Sequence, residues 1–165
     1  VNTRIQSFFL LLVTSFSAGA CECARGLPVF GAYEFATLHS IGQFRVETLV
    51  DSGATTTALD AKNIRMHINR LGRRWVYYDF VHKPTGKTVA MHQPVSRVVR
   101  IITHSGPPKV RAVVKGTISV GGIERTVEMS LIDRNNFPQQ LLLGRNYLKG
   151  TALIDSGGRY LQKGN

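Results

Sequence analysis

The chain has 165 residues, 43% hydrophobic and 19% charged, with 21 Lys and Arg against 10 Asp and Glu and a net charge of +11. That length makes one domain with a real core and is short for two lobes, and the composition excludes a disordered or low-complexity chain. The basic balance favours an anionic partner (nucleic acid, an anionic membrane surface or an acidic substrate) without choosing among them.

In chain order, the first segment is unlike the rest. Arg4 is the only charge before Glu22, and Phe8–Phe16 is an apolar run of 9 residues, short of the roughly 20 needed to span a bilayer. It fits the apolar region of an export signal, residues 1–20; a buried N-terminal helix or strand is the plainer alternative. Ala18 and Ala20 satisfy an A-x-A cleavage site, while Ala18-Gly19-Ala20-Cys21 resembles a bacterial lipobox in which Cys21 is lipidated. Both cleavage types stay open, and the expected location is the periplasm or a lipid anchor in the bacterial envelope. Removing the signal leaves 145 residues with charge +10. Cys21 and Cys23 are the only cysteines, so no disulfide framework or paired CxxC zinc site exists.

Residues 21–28 read as a linker, 29–162 as the folded body and 163–165 as a tail. Short strand-like runs dominate the body: Val29–Leu38, Phe44–Val50, Trp75–Val81, Val95–Thr103, Val110–Val120, Ile123–Ile132 and Leu141–Leu143, with Thr151–Asp155 and Arg159–Leu161 last. Pro84-Thr85-Gly86-Lys87 reads as the turn of a hairpin over 75–92, and Gly121-Gly122 as a two-residue hairpin loop. Asp60–Asn69 and Arg145–Lys149 are the helical candidates. Many short antiparallel strands predict a small barrel or sandwich with one or two short helices.

Two local patterns carry chemistry. In Leu49-Val50-Asp51-Ser52-Gly53-Ala54-Thr55-Thr56 an apolar strand delivers a carboxylate into a tight turn; Gly53 admits close backbone approach, and Ser52 and Ala54 are small. In Leu141-Leu142-Leu143-Gly144-Arg145-Asn146-Tyr147-Leu148 an apolar strand meets a glycine and then a helix start. In this order the two resemble the retropepsin-like aspartic proteases. The wider pattern is similar to a bacterial branch often named ATP-dependent zinc protease and linked to RimK-type ligases. It adds Thr57–Ala61, Gly72, Trp75-Val76, Ile123–Glu128 and Ile132-Asp133-Arg134. Asp60 stands where that branch commonly has His, Ala112 where Pro is common, and Gln139-Gln140 where Tyr-Pro is common.

The resemblance implies a retropepsin-like closed β-barrel, one lobe per chain, in which Asp51 is catalytic and Ser52, Gly53 and Ala54 form its turn. Leu142, Leu143, Gly144 and Arg145 are the supporting motif. One protomer supplies one aspartate, so the resemblance implies a homodimer cleaving peptides, with water activated between two Asp51 carboxyls. A second D-S-G, Asp155-Ser156-Gly157, lies 104 residues on, but no second apolar-Gly motif follows it, so it reads as a turn after an edge strand. Arg65, Arg70, Arg73 and Arg74 form one basic cluster, and Arg97, Arg100, Lys109, Arg111 and Lys115 another. Both are solvated faces or, for Arg100 and Arg111, substrate-side residues for an acidic peptide. The flap is either the hairpin around Lys83–Lys87 or the Ser105–Lys109 turn.

No metal or cofactor is expected: there is no H-E-x-x-H helix and no G-x-x-x-x-G-K-[ST] loop, and His39, His67, His82, His92 and His104 show no ligand spacing. The competing functions are an inactive binding module of the same fold and a basic β-barrel for anionic ligands, with Trp75-Val76-Tyr77-Tyr78 as stacking surfaces; an exported protein is not expected to meet nucleic acid.

Overall fold

Alternating burial sorts the chain into strands. Along Tyr33–Leu38 every second residue is fully buried, and Phe44–Val50 follows the same period over its second half, so each strand turns one face to a core. A computed structural model describes residues 26–101 and 108–162. The export-signal segment, Cys21, Cys23, the tail and most of the Ser105–Lys109 turn lie outside the described residues.

The elements are β1 (Val29–Gly31), β2 (Tyr33–Leu38), a 3-10 turn (His39–Ile41), β3 (Phe44–Val50), β4 (Thr57–Asp60), β5 (Lys62–Ile68), β6 (Arg74–Val81) and β7 (Thr88–Pro94). Then come β8 (Arg97–Ile101), β9 (Lys109–Val120), β10 (Ile123–Ile132), β11 (Leu141–Leu143), α1 (Arg145–Leu148) and β12 (Leu153–Asp155). Six strands, in the order β10-β4-β11-β3-β2-β9, close into a barrel through the β9–β10 pairing, the closed retropepsin-like lobe. Closure removes the free edges of an open sheet. β4 runs parallel to β10 and β11 parallel to β3; the other barrel pairs are antiparallel. Leu38, Leu59, Ile118, Leu131, Leu141 and Leu143 fill the core with almost no exposed surface.

Three pieces stand outside the barrel. Among the described residues β8 lies at the sheet edge and pairs with β9, its antiparallel neighbour. β5, β6 and β7 form a separate antiparallel sheet, and β1 pairs in parallel with β12.

The expected helix over Asp60–Asn69 is a strand. Its residues Arg65 to Ile68 pair with Tyr77 to Arg74 of β6, and Asn63 takes a positive φ of 51° at a register shift, a bulge that re-aims the strand. Cross-strand pairing outweighs a weak local helical preference. The expected strand Val29–Leu38 breaks at Ala32, which donates its N–H to Gly158 O (2.8 Å), so its halves join different sheets. Residues 159–161 form no strand, because Glu34, fully buried, captures the N–H groups of Leu161 and Gln162. Gly121 and Gly122 both have positive φ, 56° and 80°, as a type I′ hairpin turn requires.

Candidate active site

Asp51 follows the last residue of β3. Its backbone N–H donates to Leu143 O (3.0 Å), which ties the turn to the end of β11. Asp51 Oδ1 accepts the N–H groups of Gly53 (2.8 Å) and Ala54 (3.2 Å), so the turn's own backbone orients the carboxylate. Asp51 is half-buried, while Ser52 and Gly53 are exposed.

The second motif clamps this turn from behind. Gly144 approaches the backbone between Thr56 and Thr57 so closely that a Cβ there would lie 2.6 Å from Thr56 C and 2.8 Å from Thr57 N. Arg145 Nη1 donates to Ser52 O (2.9 Å) and Gly53 O (2.8 Å), and its Nη2 to Thr55 Oγ1 (2.9 Å). Asn146 Oδ1 accepts both the N–H and the hydroxyl of Thr57 (2.8 and 2.9 Å), and its Nδ2 donates to Glu128 O (2.7 Å). Tyr147, buried, anchors α1 by donating to Ile123 O (2.6 Å); burial pushes its phenol up to about 12. The residues named from the sequence, Asp51 to Ala54 and Leu143 to Arg145, thus meet in one place. Leu142 is the one residue of β11 not fully buried.

The two hairpins proposed as a flap sit differently. Lys83 donates its N–H to Gln140 Oε1 (2.8 Å) and its Nζ to Phe137 O (2.7 Å). That puts the Lys83–Lys87 turn beside the start of β11, whereas Asp51 bonds its end. The β8–β9 hairpin instead starts at the site: Arg97 Nη2 donates to Thr56 Oγ1 (3.1 Å) and Arg97 Nε to Glu128 Oε2 (2.7 Å). Ser96 Oγ also donates to Glu128 (2.6 Å), and hydrogen bonds from Ser96 and Arg97 hold that carboxyl below the usual range. Arg100 and Arg111 both lie on this hairpin, Arg100 exposed and Arg111 half-buried. Burial lowers the Arg111 pKa.

Arg134 belongs to the resembling segment Ile132-Asp133-Arg134, yet no role is legible for it in the sequence. It is buried, at 5% exposure. Its backbone N–H donates to Asp60 Oδ1 (2.8 Å), its Nε to Gln139 O (3.1 Å), and its guanidinium stacks on Phe137 (4.5 Å). Asp60 is buried too and also accepts from Lys62 Nζ (3.0 Å).

The second D-S-G ends β12, where Asp155 pairs with Gly31 and its Oδ1 accepts the Gly157 N–H (2.9 Å). A cleft of about 500 Å³ lies beside the Asp51 turn, lined by Leu27, Ser52, Arg145, Leu148 and Leu153 among others. Another, of about 300 Å³, lies between β5 and the β8–β9 hairpin, lined by Met66, Ile68, Val98 and Val110. Among the described residues no three His, Cys, Asp or Glu side chains group as metal ligands.

Residues 29–165 match a family model described as RimB-like, retropepsin-like aspartic endopeptidase RimB. That description names neither zinc nor ATP. Curated relatives include a probable alpha-L-glutamate ligase of Shewanella pealeana, 29% identical over 130 residues, or 77% of this chain and 28% of that protein. Another, from Parasynechococcus marenigrum, is 27% identical over 134 residues, 80% of this chain and 28% of that protein. The chain therefore spans just over a quarter of the length of these relatives. A solved protein of unknown function from Legionella pneumophila superposes with a TM-score of 0.68 at 26% identity, covering 82% of this chain and 98% of that one.

Proposed function

The chain belongs to the RimB-like family of retropepsin-like aspartic endopeptidases, and from that premise we propose that two protomers join their Asp51 turns into one site that cleaves acidic peptides. The observation that carries this is the Asp51 turn, held at its carboxylate by Gly53 and Ala54 and from behind by Gly144, Arg145 and Asn146. Two carboxyls a hydrogen bond apart hold one proton between them. The ionised one takes a proton from water as the water oxygen attacks the scissile carbonyl carbon, and the protonated one donates to the carbonyl oxygen. Collapse of the tetrahedral intermediate breaks the C–N bond: the carboxyl that took the water proton passes it to the leaving nitrogen, and the other carboxylate takes back a hydroxyl proton as the new carbonyl forms, restoring the single shared proton. The titration belongs to the pair rather than to either Asp51.

The exposed Ser52 and Gly53, next to an apolar cleft, leave the turn open to a second copy. The β8–β9 hairpin is the flap in this reading, because it is rooted at Thr56 through Arg97. The acidic substrate is supported by Arg100 and Arg111 on that hairpin and by the glutamate-ligase description of relatives that share this domain. Export, with Cys21 as a lipidated anchor, rests on the composition of residues 1–21; the intact mass of the membrane-extracted protein tests it.

The deciding measurement is cleavage of a glutamate-containing peptide by wild type and Asp51→Asn across pH. Wild type is expected to give a bell-shaped profile, and Asp51→Asn to lose about 10³-fold or more in kcat. Equal cleavage by both overturns the assignment.

A further inference from the structure

A strand at the edge of a sheet presents a row of backbone N–H and C=O groups with which another chain can pair. Among the described residues β5 is such a strand, bonded by β6 on one side and by no strand on the other. The cleft between β5 and the β8–β9 hairpin is lined by Met66, His67 and Ile68 in succession. Successive strand side chains point to opposite faces, so a cleft that touches three in a row runs along the edge of the strand. A neighbouring cleft touches Arg65, Met66 and His67 in the same way. Arg65–Ile68 lies beyond the bulge at Asn63 and keeps an unbroken register with β6, so an added strand meets a regular edge.

The walls define what fits there. Met66 and Ile68 share the first cleft with Val98 and Val110 of the hairpin, and Met66, Ile68 and Val110 are 40%, 66% and 52% exposed, an apolar surface open to water. Arg65 stands on the opposite face of β5, and Arg74 pairs opposite Ile68. A further cleft of about 480 Å³ shares Ile68, Arg74 and Val98 with the first and extends past Arg73 to Arg97. Arg97 is the residue that bonds Thr56 beside the Asp51 turn. Arg65, Arg73 and Arg74 are exposed. Among the described residues no carboxylate pairs with them, and no Asp or Glu lines any of the three clefts. An extended chain that alternates apolar and acidic residues matches both faces. A second copy of this chain, at +11, is repelled, and of the residues outside the described ones only Glu22 is acidic.

We infer that the outer edge of β5 is a docking site for an extended acidic segment of the protein substrate, which adds as a fourth strand to the β5–β6–β7 sheet. Main-chain bonds to the edge supply affinity, and alternate side chains supply selection: apolar ones enter the Met66–Ile68 side, and acidic ones face Arg65 and, at the strand's end, Arg73 and Arg74. Calling the bound chain a substrate rests on the peptidase assignment above, to which the docking site adds a second contact away from the scissile bond. The groove ends at the root of the β8–β9 hairpin, so a segment held there raises the local concentration of a cleavable one near Asp51.

The test measures, by fluorescence anisotropy, binding of a labelled peptide alternating valine and glutamate, and of its valine–glutamine counterpart, to Asp51→Asn protein. The glutamate peptide is expected to bind at least tenfold tighter, and Arg65→Gln with Arg74→Gln, both exposed positions, to abolish that preference. Equal binding of the two peptides, or a preference that survives the double change, overturns the inference. Backbone N-methylation at every second residue tests the added strand, because alternate N–H groups point to opposite sides. One alternating set should weaken binding at least tenfold and the other by no more than about twofold; equal effects overturn strand addition. A parallel arm follows cleavage by the Asp51 protein of a substrate that joins the glutamate segment to a cleavable one, and of the cleavable segment alone. The double change should raise KM at least tenfold for the joined substrate only, with kcat unchanged, and an equal rise on both refutes the docking site. If neither is cleaved while binding still needs the arginines, the docking site stands and the peptidase reading fails. Cleavage together with binding indifferent to the arginines refutes the docking site alone.

Discussion

At the scale of residues, the site is governed by close approach. Gly144 has an ordinary negative φ of −90°, so its requirement is steric rather than conformational: the backbone of Thr56 and Thr57 fills the space a methyl group would take. Gly144→Ala is expected to cost about 1–3 kcal/mol, the usual range for overpacking, as a lower midpoint in urea. Because backbone must move to make room, activity should fall further than stability does, as the Arg145 bonds to Ser52 and Gly53 are displaced. Asn146 shows the complementary logic, since its single side chain satisfies two donors of Thr57 and reaches Glu128 O.

At the scale of elements, the β8–β9 hairpin is pinned by one carboxylate. The folded state lowers the pKa of Glu128 through Ser96 and Arg97. Its contribution is therefore complete above the ordinary carboxylate pKa and is lost as pH falls through the lower folded value. The pair is partly exposed, so the expected worth is about 1 kcal/mol or less. Glu128→Gln should be less stable than wild type by that amount in urea at pH 7, and the two curves should converge well below pH 4. A constant difference across pH would assign the effect to packing. The elements also show what a sequence discloses. The Asp51 turn and the Leu141–Leu148 motif are legible because each is a contiguous string with its own chemistry. β5 is not, since Lys62–Ile68 has a mixed polar pattern and becomes a strand only through its register with β6. Arg97 with Thr56 and Asp60 with Lys83 escape notice for the same reason: the partners are tens of residues apart and meet only after the barrel closes.

At the scale of the whole molecule, the lobe holds its Asp51 turn beside an apolar surface. Val29, Leu153 and Ile154 of the β1–β12 pair are all exposed to roughly the same degree, 38–41%, and Leu153 shares its cleft with Ser52. Leu153→Lys is expected to weaken self-association by about 10-fold or more, the value of one buried leucine side chain. Sedimentation equilibrium checks this, and specific activity should fall with the dimer fraction; a monomer with full activity would rule out the shared site. The bond from Asp51 N–H to Leu143 O also has a meaning in time. The turn emerges early in synthesis, but the strand and helix that fix it come about ninety residues later. At roughly 5–20 residues per second the carboxylate waits for seconds without its scaffold. Non-local pairing of this kind is slow to form, so hydrolytic competence arises only after Leu143 and the α1 clamp have joined the Asp51 turn.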